Sequence, residues 1–249
     1  MSTREYPKVW SRFERIVEDG RMLKFEIEDI PESMWSTAVE FMLGYYIRED
    51  VWWKSAGTAH DLDAIQEYRV LLTSIIRQKM SVACFLAEGD GSGRTLVAVN
   101  MCLPQEKGRF VEHRPVITVA LRLTANLFIP KSKAGLLSLR MFSEAMKVTA
   151  IYDKYNVNAY LMGAGLSVAP EYRGLGIAVE LLKARVNLSK ELGFRATGGI
   201  FTSARAQRAA EKANLECLYQ VPYKKFGKQC NIKFDSDAED LKIFGIRTE

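Results

Sequence analysis

One stretch, residues 166–182, constrains the fold of this chain more than any other. It reads LSVAPEYRGLGIAVELL, which is an apolar strand end and a turn, followed by Arg173, Gly174, Leu175 and Gly176 ahead of a helix. A glycine-bearing turn of this kind leaves backbone N–H groups unpaired at the positive end of the helix dipole. The stretch therefore predicts a strand-turn-helix unit that holds a pyrophosphate.

Two familiar phosphate-binding loops are excluded by the residues that follow the glycines. A P-loop needs a lysine and then a serine or threonine after its last glycine, whereas Ile177 and Ala178 follow here. A dinucleotide-binding loop needs a third glycine, and Val179 occupies that position. The order that fits is R-x-x-G-x-A.

This order resembles motif A of the GCN5-related N-acetyltransferases (GNATs), a family whose loop binds the pyrophosphate of acetyl-CoA. Three segments, Asp29-Ile30-Pro31-Glu32, GLSVAPEYRGLGIA and Phe201-Thr202-Ser203, together resemble the insect arylalkylamine N-acetyltransferase-like branch. The resemblance implies an α/β GNAT fold that forms a single domain over residues 1–249. Its central sheet would be mixed, mostly antiparallel and twisted, splayed at the acetyl-CoA site and flanked by helices.

Hydrophobic periodicity predicts elements in the order that this family has. Residues 29–32 have the form of a capping box, residues 48–57 predict a turn, residues 89–93 predict a hairpin turn, and residues 105–129 are mostly loop. The predicted helices cover about 35–46, 65–76, 134–155, 175–192 and 204–213, and the predicted strands 23–30, 81–88, 94–103, 157–168, 196–201 and 216–219. Apolar and polar residues alternate again at 231–234 and 241–244.

Composition and charge narrow the class of protein. Charged residues make up 26% and apolar residues 48%, which is typical of a globular domain. The net charge of +5 is spread along the chain, which favours an anionic ligand such as CoA and predicts no nucleic-acid partner. No apolar run has the length of a signal sequence at the N-terminus or of a membrane span elsewhere. We expect a cytoplasmic protein without a membrane partner, and we expect a monomer.

The spacing of cysteine and histidine predicts no metal site. The 4 cysteines have no C-x-x-C spacing, and the 2 histidines, His60 and His113, stand alone in the sequence. We expect free thiols.

Acetyl transfer to an amine needs a general base, because only about one alkylamine molecule in a thousand is neutral at pH 7. The resemblance places this base on Glu32, which follows Pro31, with Asp29 as the substitute. Glu32 has a second interpretation, as the capping glutamate of its helix.

The resemblance also implies which residues bind the acyl donor, acetyl-CoA. Backbone groups of Leu166, Ser167 and Val168 would hold the pantetheine arm and the thioester oxygen, with Gly163 and Gly165 permitting close approach. The pyrophosphate would be lined by Arg173, Gly174, Leu175, Gly176, Ile177 and Ala178. Arg205, Arg208 and Lys212 either reach the 3′-phosphate or form a solvated helix face.

A proton donor for the departing thiolate is less clearly marked. Many GNATs place a tyrosine on the last helix, but residues 210–215 contain no tyrosine, and Asn214 stands where glycine is usual. The resemblance makes Ser203, beside Thr202, the candidate, and Ser167 could also donate a hydroxyl. Ser203 is equally suited to cap the helix that follows it.

The amine itself stays open between two classes. The aromatic residues Trp35, Tyr45, Tyr46, Trp52 and Trp53 favour an arylalkylamine, with Pro31, Trp35, Tyr46 and Trp52 as substrate-binding candidates. The acidic residues Glu49, Asp50, Asp61 and Asp63 favour a dication such as agmatine or a polyamine. The alternative for Trp52 and Trp53 is a purely structural role, in which both rings pack beneath residues 48–57.

These features predict an enzyme of amine metabolism, an acetyl-CoA-dependent N-acetyltransferase that acts by direct attack in a ternary complex. No cysteine lies in either motif, which disfavours an acetyl-enzyme intermediate. The alternatives are a catalytically silent acyl-CoA sensor, or a GNAT that uses longer acyl-CoAs or protein amines.

Overall fold

A mixed sheet of eight strands forms the centre of the computed structural model, which describes residues 4–87, 94–107, 121–123, 126–128 and 130–249. Its strands are β1 (Val9–Ile16), β2 (Met22–Asp29), β3 (Val82–Ala87), β4 (Arg94–Glu106), β7 (Ala159–Val168), β8 (Ala196–Phe201), β9 (Glu216–Pro222) and β10 (Asp240–Arg247). Two further strands, β5 (Leu121–Leu123) and β6 (Asn126–Phe128), pair separately. The order across the sheet is β1-β2-β3-β4-β7-β8-β10-β9.

Helices cover both faces of this sheet. They are α1 (Trp35–Phe41), α2 (Ile47–Glu49), α3 (Val51–Ala56), α4 (Leu62–Ile76), α5 (Lys133–Lys147), α6 (Ile151–Tyr155), α7 (Ile177–Glu191), α8 (Ala204–Lys212) and α9 (Tyr223–Cys230). A π-helical turn, Met42–Tyr46, joins α1 to α2, and short 3-10 turns occupy Glu32–Met34, Thr58–His60 and Pro170–Tyr172. Side chains that accept a backbone N–H start α3, α4, α5 and α8, namely Asp50, Asp61, Ser132 and Ser203.

The sheet opens between β7 and β8, the one parallel pair among the described strands of the large sheet. These strands pair only through Leu161 with Thr197, Met162 with Gly198 and Gly163 with Gly199. Beyond that point each strand stays bonded to its outer neighbour, β7 to β4 and β8 to β10. The result is a V-shaped gap whose closed end lies at Gly163 and Gly199, which confirms the predicted splay.

The alternation of side chains along the central strands builds a core on each face. On β3, Ala83 and Phe85 point into a cluster with α1, α4 and α5, whereas Val82 and Cys84 point into a cluster with α7. Two apolar layers thus fix α7 on one face and the larger group of helices on the other.

Most predicted elements are confirmed. The strand predicted at 196–201 is β8, the strand at 23–30 is β2, and the helix at 204–213 is α8. Strands β3 and β4 pair as an antiparallel hairpin. The predicted turn of this hairpin, at residues 89–93, lies outside the described residues.

Three predictions of local structure were wrong. The turn expected at residues 48–57 is largely helix α3, because Asp50 caps its start and Gly57, with φ +73°, ends it. The long helix expected over 134–155 breaks between α5 and α6, where Val148 and Thr149 are β-branched. The capping box at 29–32 does not form, since the turn that begins at Glu32 has no side-chain cap.

Candidate active site

A pocket occupies the gap between β7 and β8, and its walls come from both faces of the sheet. It encloses about 1300 Å³, part of it open to solvent. Its lining residues include Tyr46, Asp50, Trp52, Trp53, Tyr68, Asn100, Ser138, Gly163, Ala164, Gly165, Leu166, Ala178, Leu182, Arg185, Gly199, Phe201 and Thr202.

The loop before α7 forms an anion cradle beside this pocket. Gly174 and Gly176 have φ values of +84° and +77°, a left-handed backbone that glycine adopts without steric cost. The N–H groups of Gly174, Leu175 and Gly176 donate no hydrogen bond to another described residue. They precede the 15-residue helix α7, so its dipole adds to their attraction for an anion. Ala178, in the first turn of that helix, lines the pocket.

A cation from the first strand lies at the same loop. The Arg15 Nε donates to the carbonyl oxygen of Leu175 at 2.8 Å. Its Nη2 lies 3.6 Å from the Glu180 carboxylate, and the guanidinium is about one third exposed. Arg15 thus holds the loop in place and supplies positive charge next to the unpaired amides.

Strand β7 has a bulge at Ala164, in the part of the strand that lines the pocket. Met101 pairs with Gly165 and Cys102 pairs with Gly163, so Ala164 has no opposite residue. The Asn100 Nδ2 donates to the Gly165 carbonyl oxygen at 2.9 Å, while its buried Oδ1 has no partner among the described residues. A buried acceptor without a partner is costly, so this wall of the pocket suits an amide N–H of a ligand.

A single carboxylate lies among the described residues that line the pocket. Asp50 accepts a hydrogen bond from the Trp52 backbone N–H at 2.9 Å and another from the Thr202 hydroxyl at 2.5 Å. Burial raises the pKa of Asp50 to about 6, although these hydrogen bonds act in the opposite direction. Asp50 is therefore mostly ionised at pH 7 and basic enough to accept a proton.

Aromatic rings form the wall next to Asp50. Trp53 packs edge-on against Tyr46, with ring centroids 6.0 Å apart, and against Tyr68 at 4.6 Å. Trp52 stacks on Phe226 at 6.0 Å. This wall is apolar and rigid, and suits a flat ring.

Solved structures share the fold of this chain. A putative arylalkylamine N-acetyltransferase 7 from the yellow fever mosquito superposes with a TM-score of 0.83 and 24% identity, over 100% of this chain and 98% of that one. A mosquito arylalkylamine N-acetyltransferase-like 5b has a TM-score of 0.67 and 20% identity, over 90% of this chain and 99% of that one. A polyamine N-acetyltransferase from Drosophila melanogaster has a TM-score of 0.66 and 16% identity, with the same two coverages.

The chain has the GNAT fold. The predicted fold class is therefore confirmed. Neither a family model nor a curated protein matches the sequence.

Within this GNAT fold, the donor-side residues predicted from motif A fall into two groups. Leu166 and Ala178 line the pocket. Ser167, on β7, and Ile177, at the start of α7, are buried outside its lining. The backbone around Gly174 forms the cradle described above.

Arg173 is already engaged within the chain. Its Nε donates to the Val168 carbonyl oxygen at 2.9 Å, and its Nη2 donates to the Glu49 carboxylate at 2.6 Å. Glu49, one of the acidic residues considered for amine recognition, thus pairs with the motif A loop and does not line the pocket. The predicted contact of Arg173 with a pyrophosphate stays a prediction.

The residues predicted around the base lie apart from the pocket lining. Glu32 is 59% exposed in its side chain and forms an ion pair with Lys79 at 2.5 Å. Asp29 is buried and binds Arg4 at 2.5 Å and the Lys8 backbone N–H at 2.9 Å, which anchors the N-terminal segment.

The predicted substrate-binding residues divide in the same way. Tyr46 and Trp52 line the pocket, whereas Pro31 and Trp35 do not. The indole N–H of Trp35 donates to the Ile30 carbonyl oxygen at 3.0 Å. Two of the four predicted substrate-binding residues thus belong to the pocket wall, and the other two belong to a neighbouring segment.

The remaining polar candidates have local structural roles or surface positions. Ser203 caps α8 by accepting from Ala206 N at 3.3 Å, as predicted, and its neighbour Thr202 lines the pocket. Asp61 caps α4 by accepting from Ala64 N at 3.0 Å. Arg205, Arg208 and Lys212 are exposed on α8, and Asp63 is exposed on α4.

Sequence reasoning missed Arg15, Asn100 and Arg185 as residues of the site. Each belongs to a strand or helix whose pattern explains it as an ordinary charged or polar position. Only the tertiary structure brings them to the loop or the pocket.

Among the residues that the structure describes, no group of three or more His, Cys, Asp or Glu side chains is arranged to hold a metal ion. No described helix is both long and apolar enough to cross a membrane. All four cysteines are free, as predicted.

Proposed function

We propose that this chain is an N-acetyltransferase that transfers acetyl from acetyl-CoA to a small primary amine by direct attack in a ternary complex. The observation that carries the proposal is that one pocket joins an anion cradle, through Ala178, to the half-buried carboxylate of Asp50. The cytoplasmic location and the monomeric state stay predictions from the sequence.

The donor side fits a CoA thioester in three places. The unpaired amides around Gly174, with Arg15 beside them, suit a pyrophosphate. The unpaired Oδ1 of Asn100 suits an amide N–H of a pantetheine arm. The bulged strand at Ala164 presents backbone groups to the pocket, where an oxyanion from the thioester carbonyl would be stabilised. The thioester supplies an activated acyl group with a stable leaving thiolate.

The acceptor side needs a group that removes a proton from an ammonium ion. The Asp50 carboxylate takes this proton, which leaves the nitrogen lone pair free to form the C–N bond. The C–S bond then breaks, and the thiolate leaves as an anion that takes a proton from the amine or from solvent. Direct attack places no covalent intermediate on the protein.

Two carboxylates compete for the role of base. Glu32, which the resemblance implies, is exposed and paired with Lys79, whereas Asp50 lies in the pocket with a raised pKa. We assign the role to Asp50 on this geometry, and Glu32 stays the alternative from the sequence.

The lining also favours one class of amine. Asp50 provides one negative charge among the described lining residues, and Tyr46, Trp53 and Tyr68 provide a flat aromatic wall. A monocationic arylalkylamine matches this combination better than a dication, for which Asp61 and Asp63 would have to leave their positions on α4.

The rate should depend on the ionisation of Asp50. Because the base must be deprotonated, kcat/KM is expected to fall as the pH drops through about 6, the pKa of Asp50. The measurement is a profile of kcat/KM against total amine from pH 5 to 9. An acid limb that persists unchanged in Asp50→Asn would contradict the assignment.

Removing the charge of Arg15 should weaken binding of CoA. In Arg15→Gln the dissociation constant is expected to rise by about threefold to tenfold, with the larger effect at low salt. Arg12→Gln is the matched control, since Arg12 lies on the same strand but pairs with Glu26 away from the loop. Calorimetric titration with CoA measures both. Equal losses in the two variants would show that net charge alone is responsible.

The proposal as a whole is tested by a screen for release of free CoA. Acetyl-CoA is offered with aromatic amines, agmatine, polyamines and amino acids. We expect turnover with aromatic amines above that with agmatine or polyamines. Tight binding of CoA without turnover of any amine would favour an acyl-CoA sensor.

A further inference from the structure

A buried arginine in the pocket has no partner that balances its charge. Arg185, on α7, is 2% exposed. Its Nε and Nη2 are buried without a hydrogen-bond partner, and no ion pair joins it to any residue that the structure describes. Unlike Arg173 and Arg15, it is therefore not engaged within the fold.

The groups nearest to Arg185 in electrostatic terms cannot supply the missing charge. They are Cys102 and Tyr160, and burial raises the pKa of both, that of Cys102 to about 12. Both are neutral at pH 7, whereas a guanidinium keeps its positive charge in proteins, although burial lowers the pKa of Arg185. An unpaired buried cation is unfavourable in proteins.

The guanidinium of Arg185 lies at the pocket, close to the point where β7 and β8 separate. Arg185 lines the pocket, and its Nη1 lies 2.0 Å from the point where a Cβ on Gly163 would stand. Gly163 belongs to the last residue pair before β7 and β8 separate. The cation thus sits at the closed end of the gap, in space that only a glycine leaves free, and Asp50 lines the same pocket.

We propose that Arg185 recognises a carboxylate carried by one of the two reactants. The identity of those reactants rests on the proposed function. The carboxylate is either the free end of a dicarboxylic acyl group on the donor or the α-carboxylate of an amino-acid acceptor. In the second case Asp50 and Arg185 bind the two charges of one zwitterion.

Two pairs of ligands of matched shape distinguish these sources. The donor pair is succinyl-CoA and butyryl-CoA, and the acceptor pair is tryptophan and tryptamine. Dissociation constants are measured by calorimetry for the wild-type chain and for Arg185→Met, with the acceptors titrated in the presence of CoA. In the wild-type chain the carboxylate member of one pair is expected to bind about tenfold or more tightly than its partner.

In Arg185→Met the ratio of the two dissociation constants within that pair should fall to about one. In Arg185→Lys, which keeps a positive charge, the ratio should be intermediate between the wild-type and Met values. The Met variant should unfold at a temperature equal to or above that of the wild-type chain, because it removes an unpaired buried charge. If the Met variant does not fold, the Lys variant is used instead, and its ratio of dissociation constants is expected to be smaller than that of the wild-type chain.

The proposal is overturned if the wild-type chain prefers the carboxylate member of neither pair, or if the preference survives in both variants. Binding of CoA separates this outcome from a failure of the proposed function. A chain that binds CoA and acetylates amines without any carboxylate preference refutes the role of Arg185 alone. A chain that binds none of the ligands refutes both proposals.

Discussion

Replacing Asp50 with asparagine is expected to lower kcat/KM for the amine by about 100-fold or more, because the general base is removed. Asparagine keeps the geometry of the site, since its amide can accept from Trp52 N and donate to the Thr202 hydroxyl. Binding of CoA should change little. The melting temperature at pH 7.5 should not fall, because the variant removes a charge whose burial is unfavourable.

Two further variants show whether the loss of activity comes from the removal of the base. Asp61→Asn alters another helix-capping aspartate that lies outside the pocket lining, and it controls for effects of capping. Glu32→Gln tests the alternative base. A large loss of activity in Glu32→Gln, with normal activity in Asp50→Asn, would contradict the assignment and restore the base that the resemblance implies.

Replacing Gly174 with valine is expected to raise the dissociation constant of CoA by about tenfold or more. A β-branched residue cannot easily adopt the φ of +84° found there, so the loop must rearrange, and the amides lose their common orientation. The measurement is calorimetric titration with CoA.

Gly193→Val is the matched control. Gly193 has a φ of +80° and, like Gly174, open space around its missing side chain, but it follows the other end of α7. Both variants should lose about 1–2 kcal/mol of unfolding free energy from backbone strain. Similar losses of CoA affinity in both would mean that the cradle is not the binding site.

The parts of the fold that could be predicted from the sequence are those that local residues determine. The strand, glycine turn and helix of residues 166–182 are contiguous, so their pattern was sufficient to predict the cradle. Ser203 caps α8 as expected, because a cap acts on residues only a few positions away.

The composition of the pocket depends on contacts that the sequence does not encode locally. Asp50 and Thr202 are 152 positions apart and meet only because the fold brings the start of α3 to the end of β8. Asp50 was considered for recognition of an amine, but nothing in its neighbours along the chain indicated its place in the pocket or its raised pKa. Arg185 is similar, since its helix pattern alone gives no reason to expect an unpaired cation.

The base is the clearest case in which local resemblance and tertiary structure diverge. Glu32 follows Pro31 in a segment that resembles the insect branch, yet its side chain faces solvent and Lys79. A short motif fixes the position of a residue along the chain, whereas its direction depends on how the segment packs.

The catalytic role of Asp50 is tested most directly by a mass-spectrometric assay of the wild-type chain and Asp50→Asn with acetyl-CoA and tryptamine. We expect that the wild-type chain forms N-acetyltryptamine in equal amounts with free CoA, and that Asp50→Asn binds CoA normally but forms product at a rate lower by about 100-fold or more. Equal rates in the two proteins, or CoA binding without any acetylated amine in a wider panel, would contradict this expectation.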